Sequence, residues 1–209
     1  HQLLPEQTKP HPEWRSRFAG PSDRLWDLTD GGHFEVTGLY ELVRRRLPLM
    51  IAVDAGEDPG YLFQDLALLA RQVRMDFGAE LHWIDPGPHR KAGKSGWEAF
   101  DDGVPSFVQR WFDPDAIGAR DGISRTGDHA AALARVTYDD APGRESWLLL
   151  VKASAAGELP LDVQAYAAEN DRFPNESTFD QFFSNAQWES YRRLGETLGA
   201  RIFSGRKRP

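Results

Sequence analysis

The chain has 209 residues, of which 40% are hydrophobic and 27% charged, a balance typical of one folded globular domain. Its 25 Lys and Arg against 32 Asp and Glu give a formal charge of -7, which disfavours a nucleic-acid partner. The absence of cysteine excludes disulfides and thiolate sites, and no apolar run approaches the ~20 residues needed to span a bilayer.

The first part of the chain carries a short strand signal that ends in a glycine turn. Residues 1–24 are polar and contain four prolines, which disfavour helices and central strands, so we predict an irregular lead-in. Residues 25–29 form a strand-like run that stops at Asp30-Gly31-Gly32. From residue 25 to residue 209 we predict one α/β domain.

Helix and strand patterns alternate after this turn. Residues 38–46 have helical spacing and end before Pro48, and residues 49–53 form an apolar run that predicts a strand buried on both faces. Residues 62–77 predict a helix with Gly78 as its cap, and residues 81–84 a further strand. This order favours a mostly parallel sheet covered by helices.

The second half is less regular. Between about residues 85 and 130 the periodicity is lost, which predicts a loop-rich insertion outside the core. Residues 131–138 and 147–153 predict a hairpin at a sheet edge, which makes the sheet mixed. A capping box at Ser177 predicts a core helix over residues 178–198, rich in aromatic side chains.

Asp30 is the most informative candidate residue. It follows a predicted strand, and ligands bind open α/β sheets outside the carboxyl ends of their strands. On local chemistry alone, a plain turn carboxylate is the better interpretation, with Gly31 and Gly32 shaping the turn. Asp54 follows the next predicted strand and so points to the same edge, where it either lines a site or caps its loop. His33 is either a structural residue or part of a catalytic group.

Other candidate residues carry weaker signals. Neither His33 with Glu35 nor Asp54 with Asp58 offers three ligands at a metal-binding spacing, so we predict no metal and no other cofactor. Arg44, Arg45 and Arg46 favour a solvated or salt-bridged helix end over a phosphate clamp. His129 has no predicted role.

Two longer strings resemble bacterial patatin-like phospholipases. The first, W-D-L-T-D-G-G-H-F-E-V-T-G-L-Y-E-L-V-R-R-R, is similar to the family's S-D-G-G-H-F-E-N-L-G-x-Y-E-L-x-R-R. The second, F-P-N-E-S-T-F-D-Q-F-F-S-N-A-Q-W-E-S-Y-R-R-L-G, is similar to F-P-H-x-S-T-x-D-Q-F-F-x-E-x-Q-F-E-S-Y-R-x-L-G. The chain departs from the family at Val36, Thr37 and Asn175, where Asn, Leu and His are usual.

This resemblance implies a patatin-type three-layer α/β/α sandwich and hydrolysis of lipid acyl esters. Asp30 then occupies the acid position of a Ser-Asp dyad, in which a serine attacks the ester carbonyl. The family's serine stands upstream in a G-x-S-x-G elbow. No such elbow precedes Asp30, and the nearest imitation, around Ser95, lacks the second glycine and follows Asp30.

We therefore expect this chain to be the Asp-bearing C-terminal portion of a serine lipid hydrolase, inactive alone and completed by an upstream segment that carries the nucleophile. The expected partners are a lipid ester, that segment and a membrane surface. We expect this portion to be soluble, either in the cytoplasm or at the periphery of a membrane. The alternative is a non-catalytic α/β scaffold, derived from such hydrolases, that binds lipid or a protein partner.

Overall fold

The computed structural model describes residues 34–100, 103–177 and 179–203. The chain divides into two units, His1–Phe34 and Glu35–Pro209, and the described helices and strands all belong to the second. The predictions for residues 1–33, including the lead-in and the strand at residues 25–29, lie outside the described residues.

The first helices and strands follow the sequence pattern closely. Helix α1 spans Leu39–Arg44, strand β1 Leu49–Asp54, helix α2 Gln64–Phe77 and strand β2 Ala79–Trp83. Gly78 ends α2 in the left-handed conformation that favours glycine. The two helices and two strands predicted between residues 38 and 84 are thus confirmed, with shifts of one or two residues at most of their ends.

The rest of the unit contains short helices, a hairpin and a long C-terminal helix. Helices α3 and α4 span Gly87–Lys91 and Ser106–Gln109, with 3-10 turns at Gly96–Ala99, Pro114–Ala116 and Arg120–Gly122. Strands β3, β4 and β5 span Ile117–Gly118, Ala131–Tyr138 and Glu145–Lys152. Helices α5 and α6 span Leu161–Glu169 and Asn185–Ile202.

The five strands form one mixed sheet in the order β1-β5-β4-β2, with β3 beside β4. The pairs β1–β5 and β3–β4 are parallel, and β4–β5 and β2–β4 are antiparallel. The predicted hairpin is confirmed as β4 and β5. Its predicted position at a sheet edge is wrong, because β5 also pairs with β1 and its apolar run is buried on both faces.

Strand β1 is buried on one face only, although its apolar run predicted burial on both faces. Met50 and Ala52 are buried against α1 and α2, but Ile51 and Val53 on the other face are 43% and 73% exposed. The predicted burial on both faces is therefore wrong. The unbroken apolar run predicted the strand correctly, but such a run does not distinguish a central strand from one at the end of the sheet that the described residues form.

The region from residue 85 to residue 130 contributes to the core, contrary to expectation. Phe100, Val104, Val108 and Phe112 are buried and pack with alternate residues of β4 and β5 on the face opposite α1 and α2. Their regular spacing of four residues is a signal that the loop-like composition obscured. The central strands are consequently covered on both faces, which confirms a mixed α/β fold.

Helix α6 starts later than predicted. The side chain of Ser184 accepts a hydrogen bond of 3.1 Å from the backbone N–H of Gln187, so Ser184 is the cap rather than Ser177. The pair Ser184 and Gln187 is itself a capping-box pattern. Phe179 and Phe182 lie before the helix and are each 94% exposed, so they are not the core residues that we expected.

Replacing the two serines tests this start. Ser184→Ala removes the acceptor for the Gln187 N–H and should lower the free energy of unfolding by about 1 kcal/mol in urea titrations. Ser177→Ala is the matched control and should change it by only a few tenths, because the Ser177 hydroxyl contacts an exposed turn. A larger loss at Ser177 than at Ser184 would contradict this assignment of the cap.

Candidate functional site

The structure describes one of the predicted site residues. Asp54 is the last residue of β1, whereas Asp30, Gly31, Gly32 and His33 lie outside the described residues. The candidate site therefore consists of Asp54 and the described residues around it. Strands β1 and β5 are parallel, so their carboxyl ends lie at the same edge of the sheet, where α/β folds bind ligands.

Asp54 forms an ion pair with Lys152, which stands beside it in register at the end of β5. The Lys152 Nζ lies 3.0 Å from the Asp54 Oδ2, and the lysine side chain is only 1% exposed. Burying an ammonium group is costly unless anions and hydrogen-bond acceptors surround it. Nothing in the local sequence around Lys152 indicated this role, because its partner is close only through the pairing of the strands.

The loop after β1 supplies the other acceptors for Lys152. Its Nζ donates to the Gly56 carbonyl oxygen at 3.2 Å and lies 3.9 Å from the Asp58 Oδ2. The second oxygen of Asp54, Oδ1, accepts a hydrogen bond of 3.0 Å from the Gly56 N–H. Both Asp54 oxygens are therefore engaged, and the carboxylate acts as an anchor for the loop and for Lys152.

The same loop contains two residues in an uncommon backbone conformation. Tyr61 and Phe63 have φ values of 51° and 53°, in the left-handed region that side chains disfavour. Asp58 stabilises this turn, because its carboxylate accepts hydrogen bonds of 2.9 Å from the N–H groups of Leu62 and Phe63. The turn leads directly into α2.

A second contact joins this loop to Ala153 and Asn175, which are distant from it in sequence. The Tyr61 hydroxyl donates to the Ala153 carbonyl oxygen at 2.9 Å and accepts from the Asn175 Nδ2 at 2.8 Å. Burial raises the pKa of Tyr61 above its ordinary value. Asn175 is one of the positions where the chain departs from the patatin pattern, and its buried Oδ1 has no hydrogen-bond partner within the described part of the chain.

A pocket of about 380 Å³ opens beside these residues. Four carboxylates and one lysine line it, so its electrostatic character is acidic: Asp54, Glu57, Asp58, Asp65 and Lys152. Across residues 34–100, 103–177 and 179–203, no group of three potential ligands is arranged to hold a metal ion. The pocket can hydrogen-bond and attract cationic groups, but its described residues include no serine.

The arginine run and Ser95 show no feature of a catalytic or phosphate-binding site among the described residues. Arg44 and Arg45 bind Glu41, and Arg46 pairs with Asp140, which confirms the prediction of a salt-bridged helix end. Ser95 is exposed and precedes a 3-10 turn rather than a strand-to-helix elbow.

His129 packs against β3 at Gly118, a position where only glycine fits. A Cβ at Gly118 would lie 2.7 Å from the His129 ring. Burial, with a contribution from the positive charge of Arg90, lowers the pKa of His129 below its ordinary value of 6.5. The residue without a predicted role is thus part of the packing around β3.

Comparison with models of known families, with curated proteins and with solved structures gives no match to this chain. Among the residues that the structure describes, no helix has both the length and the apolar character to cross a membrane.

Replacing Lys152 tests the buried ion pair. Lys152→Met leaves two carboxylates without their cation, and we expect the free energy of unfolding to fall by about 3–5 kcal/mol. Lys91→Met, at an exposed lysine, is the matched control and should change it by less than about 0.5 kcal/mol. Asp54→Asn should cost less than Lys152→Met, because Asp58 and the Gly56 carbonyl remain. Equal denaturation midpoints for Lys152→Met and its control would contradict the role given to the pair.

The lowered pKa of His129 predicts a pH dependence of stability. The unfolded chain takes up a proton near pH 6.5 and the folded chain only at lower pH, so stability is lost as the pH falls below 6.5. Thermal unfolding between pH 7.5 and 5.5 should show this loss, and His129→Gln should reduce it. An unaltered profile in His129→Gln would refute the assignment.

Proposed function

We propose that this chain is the Asp-bearing portion of a serine hydrolase that cleaves lipid acyl esters, with a patatin-type fold. The observation that carries the proposal is the pair of long, ordered similarities around Asp30 and around residues 173–195. The mixed α/β sheet supports it at a coarser level, because such sheets bind ligands at their carboxyl edge.

Asp30 is the proposed acid of the dyad. Its carboxylate would take the proton from a serine hydroxyl as the serine oxygen attacks the ester carbonyl, and backbone N–H groups would stabilise the oxyanion. The alcohol leaves with a proton, and water then releases the fatty acid from the serine. In this proposal the serine comes from the upstream segment, and Gly31 and Gly32 let the carboxylate approach it.

Asp54 is less suited to be the base. One of its oxygens accepts from the Gly56 N–H and the other pairs with the buried Lys152, so a proton taken up there would weaken both contacts. We therefore propose Asp54 as a positioning residue that holds the loop at residues 55–63. His33 remains a proposed lining residue, with no catalytic step assigned to it.

The test compares the two aspartates in the full-length gene product. We expect Asp30→Asn to lower kcat for a chromogenic acyl ester by on the order of 10³–10⁴-fold, with the circular dichroism spectrum unchanged. Asp54→Asn should lower kcat by less than about tenfold at a temperature where the variant is folded. The present chain alone should show no turnover.

Each alternative result has a distinct meaning. Full activity of Asp30→Asn, together with inactivity of Asp54→Asn, would move the acid to Asp54. A full-length product that binds lipid vesicles but hydrolyses no ester would favour the non-catalytic scaffold over the hydrolase.

A further inference from the structure

The short strand β3 depends on contacts from other elements. We call residues 113–118, which lead into β3 and form it, the β3 segment. The guanidinium group of Arg90, on α3, donates to the carbonyl oxygens of Pro114 and Ile117, the second at 3.2 Å. The Asp113 N–H donates to the Ile202 carbonyl oxygen at the end of α6, at 2.7 Å. Because β3 itself has two residues, these contacts are a large part of what holds the segment in place.

His129 lies against this segment, just before β4. Its ring is so close to Gly118 that a Cβ there would lie 2.7 Å from it. Gly118 is buried and pairs with Ala132 of β4, so the imidazole ring is packed directly on the backbone of β3. Hydrating this side of the ring therefore requires β3 to move.

Charged groups from three elements face the His129 ring. Arg90 of α3 and Arg201 of α6 are positive, whereas Asp128 and Asp115 are negative. The Asp115 backbone forms a hydrogen bond with the ring, and the Asp115 carboxylate lies 3.5 Å from the Arg90 Nη1. Burial, followed by the charge of Arg90, lowers the pKa of His129 below 6.5 despite Asp128 and this hydrogen bond. A protonated ring is therefore an unfavourable neighbour for the arginine that holds the β3 segment.

We propose that protonation of His129 opens the β3 segment while the rest of the sheet stays paired, so that this part of the molecule responds to acid. The positive ring and Arg90 repel each other, and the charged ring gains water when the segment moves away. Strands β4 and β5 are paired from Ala131 to Thr137, so the hairpin stays intact. Opening exposes Ile117, whose side chain is fully buried in the closed segment. This proposal does not depend on hydrolase activity.

Hydrogen exchange measured by mass spectrometry at pH 7.5 and pH 5.5 tests the proposal. The open segment takes up its proton near pH 6.5 and the closed segment at lower pH, so opening is favoured as the pH falls below 6.5. At pH 5.5, one pH unit below that value, the gain is limited to roughly tenfold. After scaling for the intrinsic exchange rate, peptides from residues 112–119 should therefore exchange about three- to tenfold faster at pH 5.5 than at pH 7.5. Peptides from β5 are the internal control and should show no change.

His129→Gln removes the titrating group and should give residues 112–119 the same protection at both pH values. Each variant is compared with itself, so a general weakening of the packing by glutamine does not mimic this result. In the parental chain, an NMR titration of the His129 ring should give a pKa below 6.5. Equal exchange of the parental segment at both pH values would overturn the proposal, as would a ring pKa of 6.5 or higher. A pH effect retained in His129→Gln, or a loss of protection that extends equally to β5, would also overturn it.

Discussion

The ion pair between Lys152 and Asp54 is the contact on which the carboxyl edge of the sheet depends. An ammonium group with 1% exposure loses nearly all of its hydration, and only closely placed acceptors offset that cost. Asp54, Asp58 and the Gly56 carbonyl supply them, and all three belong to β1 or to the loop after it. The end of β5 therefore determines the conformation of a loop that is distant in sequence.

The consequences extend from that loop into the next helix. Asp58 faces Lys152 with the same carboxylate that accepts from the N–H groups of Leu62 and Phe63, just before α2. These donors have no partner within the helix, so the carboxylate satisfies them and fixes the turn. Tyr61 is held in its left-handed conformation from the other side, by Ala153 and Asn175. The same loop therefore surrounds the Lys152 ammonium group, begins α2 and holds Tyr61 at a positive φ.

Much of this fold could be predicted from the sequence, because its elements have strong local signals. The helical spacing before Gly78 and the apolar runs at β1 and β5 gave the right elements at nearly the right residues. Their positions in the sheet could not be predicted, since an apolar run is equally compatible with a central strand and with β1 at the end of the described sheet. The start of α6 was readable from Ser184 and Gln187, but the more apolar segment after Ser177 obscured it.

The candidate site was less predictable than the fold, for a physical reason. Asp54 was identified from its position after a strand, whereas Lys152 and Asn175 contact that region across separations of about a hundred residues. Such contacts follow from strand pairing and from where the loops cross, neither of which a local motif encodes.

The charge distribution around Asp54 also limits the chemistry that this edge of the sheet can support. Four carboxylates against one buried lysine, in a chain with a formal charge of -7, give a field that repels anions. Within the proposed function, this field favours esters with uncharged or zwitterionic head groups over anionic lipids. Ile51 and Val53 form an apolar surface on the α6 face of β1, and no charged side chain lines the groove between this surface and α6. Val53 and Val151 line the apolar groove, whereas Asp54 and Lys152, which alternate with them on β1 and β5, line the acidic pocket. Within the proposed function, an acyl chain and a head group would therefore contact opposite faces of the same two strands.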